Sequence, residues 1–254
     1  MSVTQANHQE VLAGDLYLNL MENGVKKGMF GPLNADEMTI NTETSEIEQI
    51  SRMKDTYGQT RAKVTTGSKA TISMKILDSP LLVKGLVYLG IIEEISETSK
   101  TVTDETITAG DIGNAVALAN SHITASSVVV TNSAATTTYV EGTDYEVDYA
   151  NGWIRPLSGG GIAAGDALLV DYTTDAYTGH RVRGNAETQK EVELFLDGVN
   201  KAAANAPVKF RCAKSVVKPS GAANLLAEGF TEAQLEGEMI TVEGATEPYT
   251  IEYL

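Results

Sequence analysis

Apolar side chains recur at every second position through most of this chain. In GDLYLNLM, Leu16, Leu18 and Leu20 alternate with Asp15, Tyr17 and Asn19, the period of a strand with one buried face. DEMTINTE repeats the pattern with Met38 and Ile40, and KEVELFLDG repeats it with Val192, Leu194 and Leu196 before an expected turn at Asp197-Gly198. APVKFRCAKSVVKP reads as a further strand. EGEMITVEGATEPYTIEYL supplies one or two more, and GAANLLAEGF before it reads as a short helix or an irregular turn. A single stretch carries helical spacing. DSPLLVKGLVYLG sets Ser79 as N-cap, Pro80 at the first helical position, Leu82, Leu86 and Leu89 on one stripe, and Gly90 where a left-handed cap belongs.

The middle of the chain has the same period in shorter pieces. SSVVVTN, TTTYVEG and ALLVDY are β-branched or alternating runs. DYEVDY puts Tyr145, Val147 and Tyr149 on one face and Asp144, Glu146 and Asp148 on the other. Asn151-Gly152 predicts a two-residue type I′ turn, with Trp153 and Ile154 opening the return strand. Five or more short strands at this spacing suggest a small immunoglobulin-like sandwich.

Charge sharpens the division. Residues 101–180 hold 10 acidic residues and one basic residue and contain no lysine, although the whole chain has 34 acidic and 19 basic residues, net −15. The Thr-rich SETSKTVTDETITAG reads as the polar segment at which this module begins. The expected organisation is a core domain split into residues 1–97 and 181–254, with residues 98–180 inserted.

Such an acidic balance opposes tight binding to nucleic acid or an anionic membrane. Cys212 is the only cysteine, so there is no internal disulfide or CxxC pair, and it reads as a small packed residue. MSVTQANHQEVLAGD shows neither a basic n-region nor an apolar h-region, and no apolar run approaches a membrane span, so a soluble product made in the cytoplasm is expected. His8, His122 and His180 lack metal-ligand spacing, and GSK at 67–69 is too short for a phosphate loop. No catalytic, metal or cofactor residue is assigned.

The carboxylates of DYEVDY admit three readings: a solvated strand face, a weak cation site, or a catalytic pair. Counting from Asp144, an EF-type loop would need Gly and Glu where Tyr149 and Arg155 stand. A glycosidase pair would need a cleft and one raised pKa. The strand face is the favoured reading.

Residues 44–67, TSEIEQISRMKDTYGQTRAKVTTG, show little periodicity and read as a long loop. Its second half is locally basic, where Arg52, Lys54, Arg61, Lys63 and, beside it, Lys69 face only Asp55, so the loop reads either as a docking element for an acidic surface, such as a second copy of the chain, or as a solvated hairpin tip.

The serial order of these segments resembles the tail tube (major tail) proteins of long-tailed, siphovirus-type bacteriophages. The resemblance rests on the strand, basic loop and strand of 36–77, the SPLLVKGLVYLG helix, the TVTDETITAG entry to an insert with YVEGTDYEVDYANGWI and ALLVDYT, and the return through EVELFLDGVN to VKFRCAKSVVKPSGAANLLAEGFTEAQLEGEMI. It covers nearly the whole chain.

The resemblance implies a mainly β fold: a β-sandwich or barrel-like core with one packed helix and a long stacking loop, plus an inserted Ig-like domain decorating the outside. It implies hexameric rings of this chain stacked into a tube in the virion, with tape measure, terminator and baseplate proteins as partners and DNA passing through the lumen without specific binding. The stacking loop would carry Arg52, Lys54, Tyr57, Arg61 and Lys63. Glu43, Glu46, Glu48, Glu191 and Glu193 are candidate lumen carboxylates. A single-ring tail component, a carbohydrate-binding adhesion module and an acid-type glycosidase are the alternatives.

Overall fold

The computed structural model describes residues 10–226 and 228–254 and is mainly β, with one short helix among the described residues. It separates into two compact units. One joins the described residues up to Ile92 with Val182–Leu254, and the other is Glu93–Arg181.

The first unit opens with β1 (Leu12–Glu22), β2 (Val25–Leu33), β3 (Ala35–Ile50), β4 (Thr60–Ile76) and α1 (Leu81–Val87), after which β5 (Ile91–Glu97) leads away. Leu16 and Leu18 of β1 are buried, as their alternation requires. β2 is not legible in the sequence, because two register irregularities against β1 interrupt its alternation and only Leu33 is buried.

Helix α1 differs from its expected form. Its N-cap is Pro80, with no side-chain hydrogen bond, and the buried positions are Val83, Gly85 and Leu86. The C-terminus is a Schellman motif: Leu89 N–H donates to Leu86 O at 3.2 Å and Gly90 N–H donates to Gly85 O at 2.8 Å. Leu89, with φ +46°, takes the left-handed position expected of Gly90. Gly90 is required for space instead, since a Cβ there would lie 2.6 Å from Val182 Cγ1.

The second unit contains β6 (Lys100–Thr108), β7 (Val116–Ala117), β8 (Val129–Asn132), β9 (Thr138–Tyr139), β10 (Tyr145–Asp148), β11 (Trp153–Pro156), β12 (Ala167–Thr174) and most of β13 (Tyr177–Arg183). Strands order as β6-β12-β8-β9 in one sheet and β10-β11-β7 in another, while β5 and β13 form a ribbon. One core cluster draws on both sheets and includes Val130, Tyr145, Ile154, Leu168, Val170 and Tyr172. The Thr-rich segment read as a polar boundary is largely β6: β-branched Thr suits a strand, and Ile107 turns into this core.

The turn after β10 has four residues rather than two, since Asp148 pairs with Trp153. The Asp148 carboxylate accepts from Asn151 N–H at 3.0 Å and Asn151 Nδ2 at 2.7 Å, stabilising the wider turn. Gly152 closes it at φ +69°, and a Cβ there would fall 2.0 Å from Asn120 O.

The chain returns to the first unit as β14 (Lys190–Asn200), β15 (Ala206–Pro219), β16 (Ala233–Met239) and β17 (Tyr249–Tyr253). An antiparallel sheet runs β2-β1-β14-β15-β16-β4-β3, with β17 added beside β15. Its inner face buries Leu18, Ile72, Met74, Leu194, Phe210 and Leu235 against Val83 and Leu86 of α1. No turn forms at Asp197-Gly198. Those residues pair with Asp15 and Gly14 within the strand, and a Cβ on Gly198 would sit 3.1 Å from Val208 O and 3.3 Å from Ala13 O, so Gly198 serves close strand approach rather than reversal. Residues 220–232 form irregular structure without a helix among those described.

Candidate assembly interface

The long loop expected at 44–67 is a β-hairpin arm. β3 and β4 stay paired from Ala35↔Ile76 out to Ile50↔Thr60, with register shifts at Ala35/Glu37, Ser45/Glu46 and Gln49/Ile50, whereas β16 accompanies β4 only over Ala70–Ile76. Beyond Ala70 the pair continues as a two-stranded ribbon with every residue of 43–50 and 60–69 exposed. Strand periodicity was invisible there because neither face packs on a core, so no position had to be apolar.

The ribbon nevertheless has two unlike faces. Ile47 and Val64 lie opposite one another, and Glu48 opposes Lys63. Ile47, Ile50, Met53, Tyr57 and Val64 are all exposed, Tyr57 at 77 %. A monomeric domain has no use for so many apolar side chains on one projecting element.

The tip is ordered. Ser51 N–H donates to Gln59 O at 2.7 Å, Gly58 N–H donates to Ser51 O at 2.9 Å, and the Ser51 and Thr56 hydroxyls share a 2.7 Å hydrogen bond. Arg52, Lys54 and Tyr57 stand on this tip, with Arg61 at the start of β4. Lys63 and Lys69 do not belong to a free basic patch. Lys63 Nζ is 2.5 Å from Glu46 and 3.5 Å from Glu48, and Lys69 is 2.9 Å from Glu238. Hydrogen bonds to Glu46 and Glu238, respectively, raise these two lysine pKa values. Of the five basic residues in and beside the expected loop, Arg52, Lys54 and Arg61 have no ion pair among the described residues.

Opposite the core, the outer face of β3, β4, β16 and β15 is polar. Thr39, Asn41, Thr71, Ser73, Glu236 and Glu238 line a recess of about 740 Å³. Its lysines are tied down: Lys218 is 2.9 Å from Glu236, alongside the Lys69–Glu238 pair. The five carboxylates singled out in the sequence do not form one cluster. Glu43 lies across from Lys69 on this face, Glu46 and Glu48 belong to the arm, and Glu191 is 2.7 Å from Lys214.

Glu193 is buried. Its carboxylate is 2.7 Å from Lys26 Nζ and 3.1 Å from Arg211 Nη2, and accepts from Asn19 Nδ2 at 3.2 Å. Burial alone would raise its pKa, but the hydrogen bonds from Lys26 and Arg211 outweigh it and hold the carboxyl below its ordinary value. A charge enclosed by two cations is a strand-binding device rather than a solvent-facing one. Glu236 and Glu238, which do face outward, were signalled by the alternation of AQLEGEM.

In the second unit the acidic strand face is occupied by local structure. Asp144 accepts from Gly161 N–H at 2.6 Å and Val140 N–H at 2.8 Å, Asp148 holds Asn151, and Glu146 is 3.7 Å from Arg155. Backbone hydrogen bonds lower the Asp144 pKa, and hydrogen bonds from Asn151 lower that of Asp148. A glycosidase acid needs the opposite shift. Among the described residues no group of three His, Cys, Asp or Glu side chains could hold a metal, and no helix is long and apolar enough to cross a membrane. His122 and His180 are exposed, and His8 lies outside the described residues. Cys212 is buried, which pushes its thiol pKa up to about 11.

A family profile described as "Protein of unknown function UCP028589" matches residues 10–248. The search of curated proteins returned no match.

Proposed function

The chain belongs to that family of unknown function, and from its surfaces we propose that it is a structural subunit of a phage tail tube, forming hexameric rings that stack around a DNA channel. The observation that carries this reading is the β3–β4 arm. It is an ordered, exposed ribbon with an apolar face and an unpaired basic tip, placed beyond the sheet where a neighbouring subunit would meet it. Edges at β2 and β3 leave backbone donors and acceptors for pairing around a ring. A lateral contact that closes by rotation, combined with an axial contact that does not, generates a tube. In this reading the core is the tail-tube fold, and the second unit is its Ig-like decoration.

The channel would be lined by the outer face of β3, β4, β16 and β15. Hydroxyls and lysines already neutralised by glutamates give phosphates few cations to bind, so DNA slides rather than sticks. The arm favours stacked rings over a single-ring terminator or baseplate component. Negative-stain electron microscopy across a concentration series tests the proposal: hollow tubes of uniform width with a regular axial repeat are expected, and discrete particles under every condition would overturn it.

A further inference from the structure

Residues 220–232, between β15 and β16, present a second exposed apolar surface: Leu225, Leu226 and Phe230 are 80, 93 and 100 % exposed. Three large apolar side chains within six residues, all in water, mark a surface that is covered in the working state of the protein. With α1, this segment borders a recess of about 510 Å³ lined by Asp78, Lys84, Tyr88, Leu225 and Phe230, among others.

The hairpin tip has the complementary character. Its charged residues are Arg52, Lys54 and Arg61 against Asp55, net +2. Around the 220–232 segment stand Glu228, Glu232, Asp36 and Asp78 against Lys75 and Lys84, net −2; Lys75 bridges Asp36 at 3.2 Å and Glu232 at 2.9 Å. Both surfaces also carry uncovered apolar groups, with Tyr57 and Met53 on the tip.

The two surfaces cannot meet within one molecule. The tip precedes β4 at Thr60, whereas the segment leads into Ala233, the first residue of β16, which pairs with Ile76 at the other end of that strand. Over the 17 residues of β4 a strand spans roughly 50 Å. Complementary surfaces at opposite ends of one rigid element form a head-to-tail contact, which propagates along an axis wherever no rotation closes it into a ring.

We propose that the hairpin tip of one copy docks on the 220–232 segment of the next, with Tyr57 entering the recess beside Phe230. This inference rests on the assembly reading above and names the surface that receives the arm. Burial makes Cys212 unreactive, so engineered surface cysteines would be the only available thiols.

The test mixes two singly substituted proteins, Asp55→Cys and Thr231→Cys, exposed neighbours that leave Tyr57 and Phe230 in place, under assembly conditions with a short bismaleimide. The expected result is a covalent dimer at least ten-fold more abundant in the mixture than with either protein alone. In parallel, Phe230→Ser should abolish assembly without changing the melting temperature. Tubes without the mixed dimer would overturn the inference and leave the tube reading intact. The mixed dimer in assemblies that are not tubes would support the contact and overturn the tube. A chain that stays monomeric at every concentration would overturn both.

Discussion

Ile47 and Val64 face each other across the β3–β4 ribbon, 65 and 60 % exposed, with no core beneath them. A cross-strand pair of this kind contributes on the order of 0.2–1 kcal/mol to its own ladder. The double variant Ile47→Ser/Val64→Ser is therefore expected to keep a near-native melting temperature while losing assembly, read by calorimetry beside electron microscopy. A large drop in melting temperature would show that the pair holds the fold rather than a partner.

Glu193→Gln removes the charge that joins β2, β14 and β15 through Lys26 and Arg211. Both cations are partly exposed and regain water, so a loss of roughly 1.5–3 kcal/mol is expected, the range for hydrogen bonds to charged groups. The native carboxyl lies below its ordinary value of 4.5. Its stabilisation is therefore present above that pH and lost as pH falls through the lower folded value. Urea melts of the two proteins should differ most near neutrality and converge in acid; a gap that widens in acid would contradict the shift.

Gly152→Ala forces a Cβ to within 2.0 Å of Asn120 O at a residue with φ +69°. The turn must open, at a cost of about 1–3 kcal/mol for the backbone strain alone. Faster hydrogen exchange is expected in β7, β10 and β11, with β1 and β14 unaffected. Uniform protection in both units would mean that the turn relaxes freely.

Replacing residues 98–180 with a short Gly-Ser bridge should leave a soluble core that unfolds cooperatively, because the cluster around Leu18, Ile72, Leu194 and Leu235 draws only on the first unit. An insoluble or molten product would make the second unit integral to folding.

Strands with one face on a core were legible in the sequence. Leu16 and Leu18, Val192 and Leu194, and Leu168, Val170 and Tyr172 are buried at the alternating positions that advertised them. Where burial does not constrain the sequence, the strand signal disappears: the arm reads as a loop, β2 carries no alternation, and Thr-rich β6 resembles a linker. Glycines misled for a related reason. Gly198 and Gly90 suggested a turn and a cap, but each answers to a backbone or side chain distant in sequence.

Charge was similarly legible as a sum and not as a map. The basic character of 52–69 could be counted, but the pairing of Lys63 with Glu46 and Glu48 depends on a cross-strand register that counting does not supply. Leu225, Leu226 and Phe230 could have been flagged as apolar residues in a segment without period, although only their exposure shows that they face water.

The continuity of β4 from the sheet into the arm also has a mechanical consequence. A pull on the hairpin tip along the ribbon runs parallel to the strands, and the ladder joining β4 to β16, from Ala70↔Met239 to Ile76↔Ala233, has hydrogen bonds perpendicular to that direction. Tension is thus shared across the ladder in shear instead of unzipping one bond at a time, so the arm can act as a tether whose strength is anchored in the sheet rather than at its tip.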